Sequence, residues 1–464
     1  MADSEAVIRL YKSEDKIHPR SVRGRFTNWR WAMVALTQLV FYGLPWLTWG
    51  DRPAVLFDLA SRRFYIFGLV LYPQDFVYLT ALLLISAYGL FLFTAVAGRV
   101  WCGYACPQTV YTEIFVRIEH WFEGDRNARL KLDKAPWSWN KLWRKGGKQL
   151  TWVALALFTG FSFVGYFTPI RELGAELAGL ALGPWEAFWV LFYGFATYGN
   201  AGFMREQVCK YMCPYARFQS AMFDRDTLIV SYDPARGEPR GHNALRKKGE
   251  AHALGDCIDC KLCVQVCPTG IDIREGLQYE CISCAACIDV CDGVMDKMGT
   301  SRGLIRYDTE NGMARGFSRG QRWRRILRPR VLIYGGLLLG LGGAVAWSLW
   351  NRHDFRVDVV RDRATLARQI EDGWVENIYR LQLMNATERP QHLRVEAQGL
   401  PGLQLSSATE VSLGPAEARW VTIALRLPPD SLSGLKPGAQ PMRWVIHSDG
   451  GDRVAEKSTF VVPR

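Results

Sequence analysis

Twelve cysteines are the residues of this 464-residue chain best suited to chemistry. Eight stand in two runs, Cys257-x2-Cys260-x2-Cys263-x3-Cys267 and Cys281-x2-Cys284-x2-Cys287-x3-Cys291. Soft thiolates at this spacing hold a 4Fe–4S cube, and the two-residue gaps wrap the backbone around it. In paired runs of this type the fourth cysteine of each serves the other cube. One cluster then takes Cys257, Cys260, Cys263 and Cys291, and the other Cys281, Cys284, Cys287 and Cys267. Pro268 follows the first run as the pattern expects; Asp292 stands in the matching place after the second and removes no ligand. Zinc ribbons or structural thiols are the plainer alternative, and two complete runs in tandem disfavour them. The chemistry implied is one-electron transfer.

The other four cysteines form two C-x3-C-P motifs, Cys102, Cys106 and Pro107, then Cys209, Cys213 and Pro214. Each follows an apolar run, which makes a weak internal repeat. On a helix, residues four apart have Cβ atoms about 5–6 Å apart. A disulfide needs about 3.8 Å, so a metal between the sulfurs suits the pair better than a bridge. Proline disfavours a helical residue before it and favours the first helical position, so new helices are expected to begin at Cys106 and Cys213. Helix N-termini stabilise thiolates. Small apolar filler at a membrane edge is the competing explanation. Spacing does not say whether the two pairs join into one site.

The elements that must position these residues are mostly apolar. Runs 31–50, 76–98, 151–169, 187–204 and 331–351 carry no charged side chain in their centres, and each is long enough to cross a hydrocarbon core of about 30 Å as a helix. A net charge of +12 invites a nucleic-acid reading. The basic residues instead flank the apolar runs, as in membrane proteins, so no nucleic-acid partner is expected. The basic arm 1–30, the segment from Arg99 to Lys148 and the stretch RGQRWRRILRPR fall on one side if the runs alternate across a bilayer. That side is the cytoplasm by the positive-inside rule. Segment 51–75 breaks the rule with Arg52, Arg62 and Arg63; its FYIFGLVLYP is too short to span and is expected to lie in the interface.

The expected architecture is therefore a membrane α-helical protein with five transmembrane helices. It divides into a disordered basic arm (1–30), a four-helix membrane domain with both C-x3-C-P motifs (31–225), a cytoplasmic ferredoxin-like insert (226–330, cluster motifs 257–292), a fifth span (331–351) and a periplasmic tail (352–464). The tail alternates apolar and polar residues in NIYRLQLMN, HLRVEA, ARWVTIALRL and MRWVIHS, separated by Gly-Pro and Asp-Gly turns. About seven short strands of this kind suggest an immunoglobulin-like β-sandwich. All cysteines lie between Cys102 and Cys291, so the tail has no disulfide framework and the cysteines suit a reducing compartment. No cleavable signal peptide is expected. His242 and His252 before the insert, and His392 and His447 in the tail, read as solvated or packing residues. Gly336 and Gly340 form a G-x-x-x-G, which in an apolar run is as often bland as a packing face. No G-x-G-x-x-G or P-loop is present, so no bound nucleotide is implied.

Taken together, WCGYACPQT, VCKYMCPYARFQ, the ferredoxin pair, the fifth apolar run and the sandwich tail resemble the cytochrome c oxidase accessory proteins called CcoG, FixG or RdxA. The resemblance covers nearly the whole chain. It implies a bacterial inner-membrane iron–sulfur protein with two 4Fe–4S clusters, acting with maturation proteins of a cbb3-type oxidase. It also implies reduction of Cu(II) to Cu(I), with copper as substrate or transient ligand at Cys102, Cys106, Cys209 and Cys213. The C-x3-C-P motifs are similar as well to those of quinol-oxidising NapH proteins, which match less of the chain. On that alternative the protein is a membrane electron carrier without a copper role. The electron donor is not named by the sequence, and a homodimer is left open.

Overall fold

The computed structural model describes residues 16–241, 254–362, 367–406 and 409–463. The start of the expected basic arm, and His242 and His252, lie outside them. The chain forms two compact units. The first comprises Met1–Leu44, Leu83–Val164 and Gly174–Gly340, and the second Pro45–Leu82, Gly165–Leu173 and Leu341–Arg464.

Each apolar run is largely helical, in α1 (Arg25–Gly43), α2 (Phe76–Ala97), α5 (Trp139–Val164), α6 (Pro184–Thr197) and α9 (Pro329–Trp350), but the first leaves the helix after Gly43 for a 3-10 turn, Leu44–Trp46, and a short strand, Thr48–Trp49. Among the described residues two stretches, Pro73–Ala97 and Pro329–Trp350, are long and apolar enough to cross a membrane by length and composition, with mean hydropathy 2.2 and 1.7. The other three fall short for visible reasons. Helix α5 begins at Trp139, well before its apolar run at 151, so its first turns carry Lys141, Arg144, Lys145 and Lys148. Helix α6 ends after 14 residues, where the chain continues as a π-helix, Tyr198–Met204. Helix α1 starts at Arg25 and includes Arg30.

Between the helices, α3 (Val100–Tyr104), α4 (Pro107–Glu123) and α7 (Pro214–Met222) carry the C-x3-C-P motifs. The ferredoxin-like insert closes on itself through an antiparallel pair, β4 (Ile229–Tyr232) with β5 (Ile305–Asp308), in register Ile229 to Asp308. Its helix α8 (Ala286–Met298) packs Ile288 and Met295 against Val230, Leu304 and Ile305. The arm departs from expectation: residues 16–24 are held, not loose. Arg20 N–H donates to the Gln265 carbonyl at 2.8 Å, Ser21 N–H to Asp125 Oδ1 at 2.9 Å, and the Arg129 guanidinium to the Pro19 carbonyl.

The second unit contains the expected sandwich. One sheet runs Gln404–Leu405, β10 (Ala418–Leu427), β7 (Val375–Asn385), β6 (Phe355–Arg361); the other runs β9 (Glu410–Leu413), β8 (Gln391–Gln398), β11 (Gly438–Ser448), β12 (Arg453–Val462). The period-two pattern sends Tyr379, Leu381 and Leu383 of β7 inward to meet Ile423, Leu425, Trp444 and Ile446, all fully buried. His392 and His447 lie on its exposed or half-buried surface, as expected. Segment 51–75 folds as a three-stranded antiparallel sheet, β1 (Val55–Asp58), β2 (Arg63–Ile66) and β3 (Leu69–Leu71). Leu56, Tyr65, Val70 and Tyr72 bury against Met384, Ala386 and Ala416 of the sandwich. The β-branched and aromatic content that looked like an interfacial segment fits a half-buried sheet equally well.

Candidate iron–sulfur and thiolate centre

Both ferredoxin runs fold the same way. Asp259 and Lys261 flank Cys260 with φ of 47° and 55°; Ser283 and Ala285 flank Cys284 with φ of 54° and 60°. Four non-glycine residues in the left-handed region are costly, and the repetition in both halves marks a shared demand of the site. The turns curl each loop around a small cavity. Cys257, Cys260, Cys263 and Cys291 line one, with Tyr232, Val290 and Leu304 around them. Cys267, Cys281, Cys284 and Cys287 line the other, with Cys263 at its edge. The fourth cysteine of each run thus lies beside the other run's three.

Whether the residues fit a cube can be judged from the donors. Among the described residues no three His, Cys, Asp or Glu side chains close on one point, as a single ion would require. A cube instead takes one cysteine at each of four separate irons, so its ligands stand apart around its corners. Burial pushes the thiol of Cys263 up to about 11 and those of Cys281 and Cys291 to about 12. Bare thiolates there are disfavoured, and bound iron is what deprotonates such thiols. The two cavities fit 4Fe–4S clusters.

Cations surround the second cavity. Arg30 pairs with Glu113 and reaches the Cys284 thiol. Arg99 donates to Gln219 Oε1 at 3.1 Å and to the Tyr279 carbonyl. Helix α1 is tied to α8 through Asp289, whose carboxylate accepts from Phe26 N–H at 3.1 Å, Thr27 N–H at 2.7 Å and Thr27 Oγ1 at 2.7 Å. None of these partners was singled out from sequence. Asp289 lies between two ligand cysteines, and that position was the one available signal.

The C-x3-C-P cysteines gather in one neighbourhood. Cys106 and Cys213 are the N-caps of α4 and α7, with Pro107 and Pro214 in the first turn. Cys209 lies in a second π-helical stretch, Val208–Met212, a geometry frequent at functional sites. Cys209 is within electrostatic reach of Cys106, Cys102 and Cys213. Cys102 Sγ donates to Gln219 Oε1 at 3.3 Å, and Gln219 Nε2 donates to Thr94 Oγ1 at 3.1 Å. At Cys106, the N-cap of α4, burial outweighs the helix N-terminus and pushes the thiol up; burial also raises the Cys102 thiol and pushes Cys209 to about 12. At Cys106 the expected stabilised thiolate is therefore not supplied by the protein alone.

The first motif also touches the second cluster cavity. A Cβ at Gly103 would stand 2.6 Å from the Ile282 carbonyl oxygen and 2.9 Å from Cys284 Cα. Cys102 shares an apolar cluster with Val266, Ile282, Cys284 and Ala286. Only glycine lets α3 seat this closely on a cluster loop.

Comparison with known proteins fits this arrangement. A "4Fe-4S dicluster domain" family matches residues 204–310, a "4Fe-4S binding domain" family residues 79–129, and a family described as an "IG-like fold at C-terminal of FixG" residues 345–463. The chain is 39% identical over 459 residues to the nitrogen fixation protein FixG of Rhizobium meliloti (strain 1021), covering 92% of this chain and 86% of the relative. The chain belongs to the FixG family. A second member, RdxA of Cereibacter sphaeroides, is 39% identical over 428 residues, 90% of each chain. A crystal structure of a FixG-related protein from Vibrio parahaemolyticus aligns with 24% of this chain and 97% of its own at 22% identity and a TM-score of 0.22. This FixG-family chain is an iron–sulfur protein of the oxidoreductase class, with two 4Fe–4S clusters and an immunoglobulin-like C-terminal domain.

Proposed function

We propose that this FixG-family protein reduces Cu(II) to Cu(I) at Cys102, Cys106, Cys209 and Cys213, and that the product serves assembly of a cbb3-type cytochrome c oxidase. The observation that carries the reading is the close packing of Gly103 and Cys102 on the loop of Cys284. A redox-active ligand and a thiol group for a substrate ion are then neighbours. Bound clusters supply electrons one at a time. Cu(II) needs one electron and releases no leaving group. Soft thiolates favour Cu(I) over harder ions, so thiols among these four cysteines would also retain the product without all four closing on one ion. Arg99 and Gln219 hold Cys102 in place, and Pro107 and Pro214 start the helices that aim Cys106 and Cys213.

All five helices cross a bacterial inner membrane in this reading, with the arm and clusters cytoplasmic and the sandwich periplasmic. Its support is the distribution of Lys and Arg. The sandwich would meet oxidase maturation proteins on the periplasmic side. Reporter fusions after Gly124, Gly249 and Ser448 should read cytoplasm, cytoplasm and periplasm.

The direct test gives anaerobic, dithionite-reduced, desalted protein Cu(II) and reads Cu(I) with a specific chelator. Replacing all four motif cysteines by alanine should abolish the signal while cluster absorbance stays intact. If the four-alanine protein reduces Cu(II) at the normal rate, the cysteines are not the copper site and a membrane electron carrier without a copper role becomes the better reading.

A further inference from the structure

Copper reduction as proposed leaves the electron source unassigned, and the iron–sulfur unit contains a cavity of about 590 Å³ that touches the copper scheme's cysteines through Cys209. Its walls are the arm residues 19–24, the first turns of α1, one face of α4, and the stretch from Arg205 to Cys209. Pro268, Thr269, Ile282 and Ala286 line both this cavity and that of the second cluster. A molecule seated here would lie one layer of side chains from Cys267 and Cys284.

The lining states what chemistry would bind. Val22, Val116 and Ile282 offer apolar surface. Two buried donors that face no acceptor belong to lining residues: Trp31 Nε1 and Arg205 Nη1 have no hydrogen-bond partner, and Arg205 is only 5% exposed. Unmet donors of this kind are expensive, so they ask for a ligand with carbonyl or oxyanion oxygens. The cations themselves are already engaged. Arg30 pairs with Glu113, Arg205 Nη2 lies 2.8 Å from Glu119, and Arg117 stands over the Trp31 ring at 4.5 Å. This argues against a polyanion. The volume falls in the range of ordinary small-molecule sites. Beyond Trp31, α1 exposes Leu36 and Leu39, an apolar surface along which a lipid-soluble molecule can arrive.

We infer that this cavity binds a quinol, an aromatic diol with a lipid tail, and is where electrons enter the protein. The inference rests on the clusters being electron carriers and is independent of copper. In the step, both quinol O–H bonds break. The two electrons leave singly, one to each of the two 4Fe–4S clusters. The two protons pass in turn to the Glu113 carboxylate and on to water. The ring becomes a quinone, whose two carbonyl oxygens accept from Trp31 Nε1 and Arg205 Nη1 before it leaves.

The experiment uses the full-length, cluster-loaded protein in detergent, without copper. A short-chain azidoquinone is photolysed on it and the labelled peptides are mapped. In parallel, quinone affinity is measured by equilibrium binding, and a short-chain quinol is added while cluster absorbance is followed. Label should fall on residues 19–31 or 108–120. Quinol should bleach the clusters of the native protein. Trp31→Phe, which removes one donor and keeps the ring, should weaken quinone binding about fivefold. Thr112→Phe, which fills the cavity, should abolish both label and quinol bleaching. Dithionite should bleach both variants fully, separating loss of the site from loss of clusters. Native-level binding and bleaching in both variants, or label confined to other segments, overturns the site. Clusters that bleach with a nicotinamide or flavin donor but not with quinol overturn the ligand class.

Discussion

The sandwich and the iron–sulfur unit bury different things. The sandwich interior is mainly apolar: Tyr379, Leu381, Ile423, Leu425, Trp444, Ile446 and Phe460 are sealed from solvent, with the neutral amides of Asn377 and Asn385 buried beside them. Its buried carboxylate among the described residues, Glu376, is paired with Arg368 and Arg426. The iron–sulfur unit buries Arg30, Arg99, Arg129, Arg205, Lys148, Glu119, Glu123 and Asp289. Buried charge is an expensive way to stabilise a fold, because desolvation often exceeds the attraction regained. The sandwich is built as a scaffold would be. The other unit accepts the cost: Arg30 and Arg99 stand at Cys284 and Cys102, where thiolate and metal charge must be balanced, while Arg129, Arg205 and Lys148 gather on Glu119. Charge near a cluster is one of the determinants of its potential.

Breaking a ligand gives the largest effect. Native anaerobic protein should carry roughly eight irons, and Cys260→Ser should lose about half of them. Metal analysis and EPR of reduced protein read this directly; bound zinc without iron would reject the clusters altogether. The same measurement sharpens the assignment of the motif cysteines. Residues 79–129 match a 4Fe–4S binding family yet contain only Cys102 and Cys106. About twelve irons per chain would assign a third cube to the two motif pairs and remove the copper reading.

Glu119 tests the charged interior. Burial alone would raise its carboxyl, but Arg205, Lys16 and Arg129 hold it at about 2. Glu119→Gln leaves Arg205, Arg129 and Lys148 facing a neutral amide, and should cost about 3–5 kcal/mol. The sign with pH follows from the depressed value. In the unfolded chain the group titrates near 4.3, so its contribution is present above that pH and is lost as pH falls towards 2. The native protein should therefore lose stability across that window more steeply than the Gln variant. Parallel acid-unfolding curves for the two would remove Glu119 from this role.

In the sandwich, Leu381→Ala should cost about 3 kcal/mol by leaving a cavity among Ile423, Leu425 and Trp444. Thermal unfolding followed by near-ultraviolet dichroism should show a lowered transition, while iron content stays at the native value. Loss of iron together with sandwich packing would mean the two units do not fold as separate bodies.

What could be read from sequence follows the same division. The tail was legible because a half-buried strand writes its burial into every second residue, as in Tyr379, Leu381 and Leu383. The cluster cysteines were legible because metal ligation fixes spacing. The sheet in segment 51–75 was not legible because FYIFGLVLYP suits an interface and a half-buried sheet alike, and its partners Met384 and Ala416 lie more than 300 residues away. The fixing of the arm was hidden for a related reason. Its backbone bonds to Gln265 and Asp125 involve no side chain of its own that a pattern could reveal. The meeting of the two C-x3-C-P motifs, and the cavity between the arm and α4, depend on tertiary packing of helices whose sequences give only their separate apolar runs.

The smallest predicted effect concerns how that arm enters α1. Gly24 is the N-cap and has no side chain to offer the first turn. Asp289 supplies the acceptor from another element, bonding Phe26 N–H and Thr27 N–H and placing an anion at the positive end of the helix. Asp289→Ala should therefore lower stability by about 1–2 kcal/mol and speed hydrogen exchange at those two amides. Gly24→Ser alone should also destabilise, because its Cβ would lie 2.3 Å from Asp289 Cγ. The two together should not add. Removing the carboxylate vacates the space the new side chain needs, and the serine hydroxyl then caps the turn from within, so the double variant should recover most of the loss. Additive losses in the double variant would mean that the contact between Gly24 and Asp289 does not position α1, and that its first turn is held by other contacts.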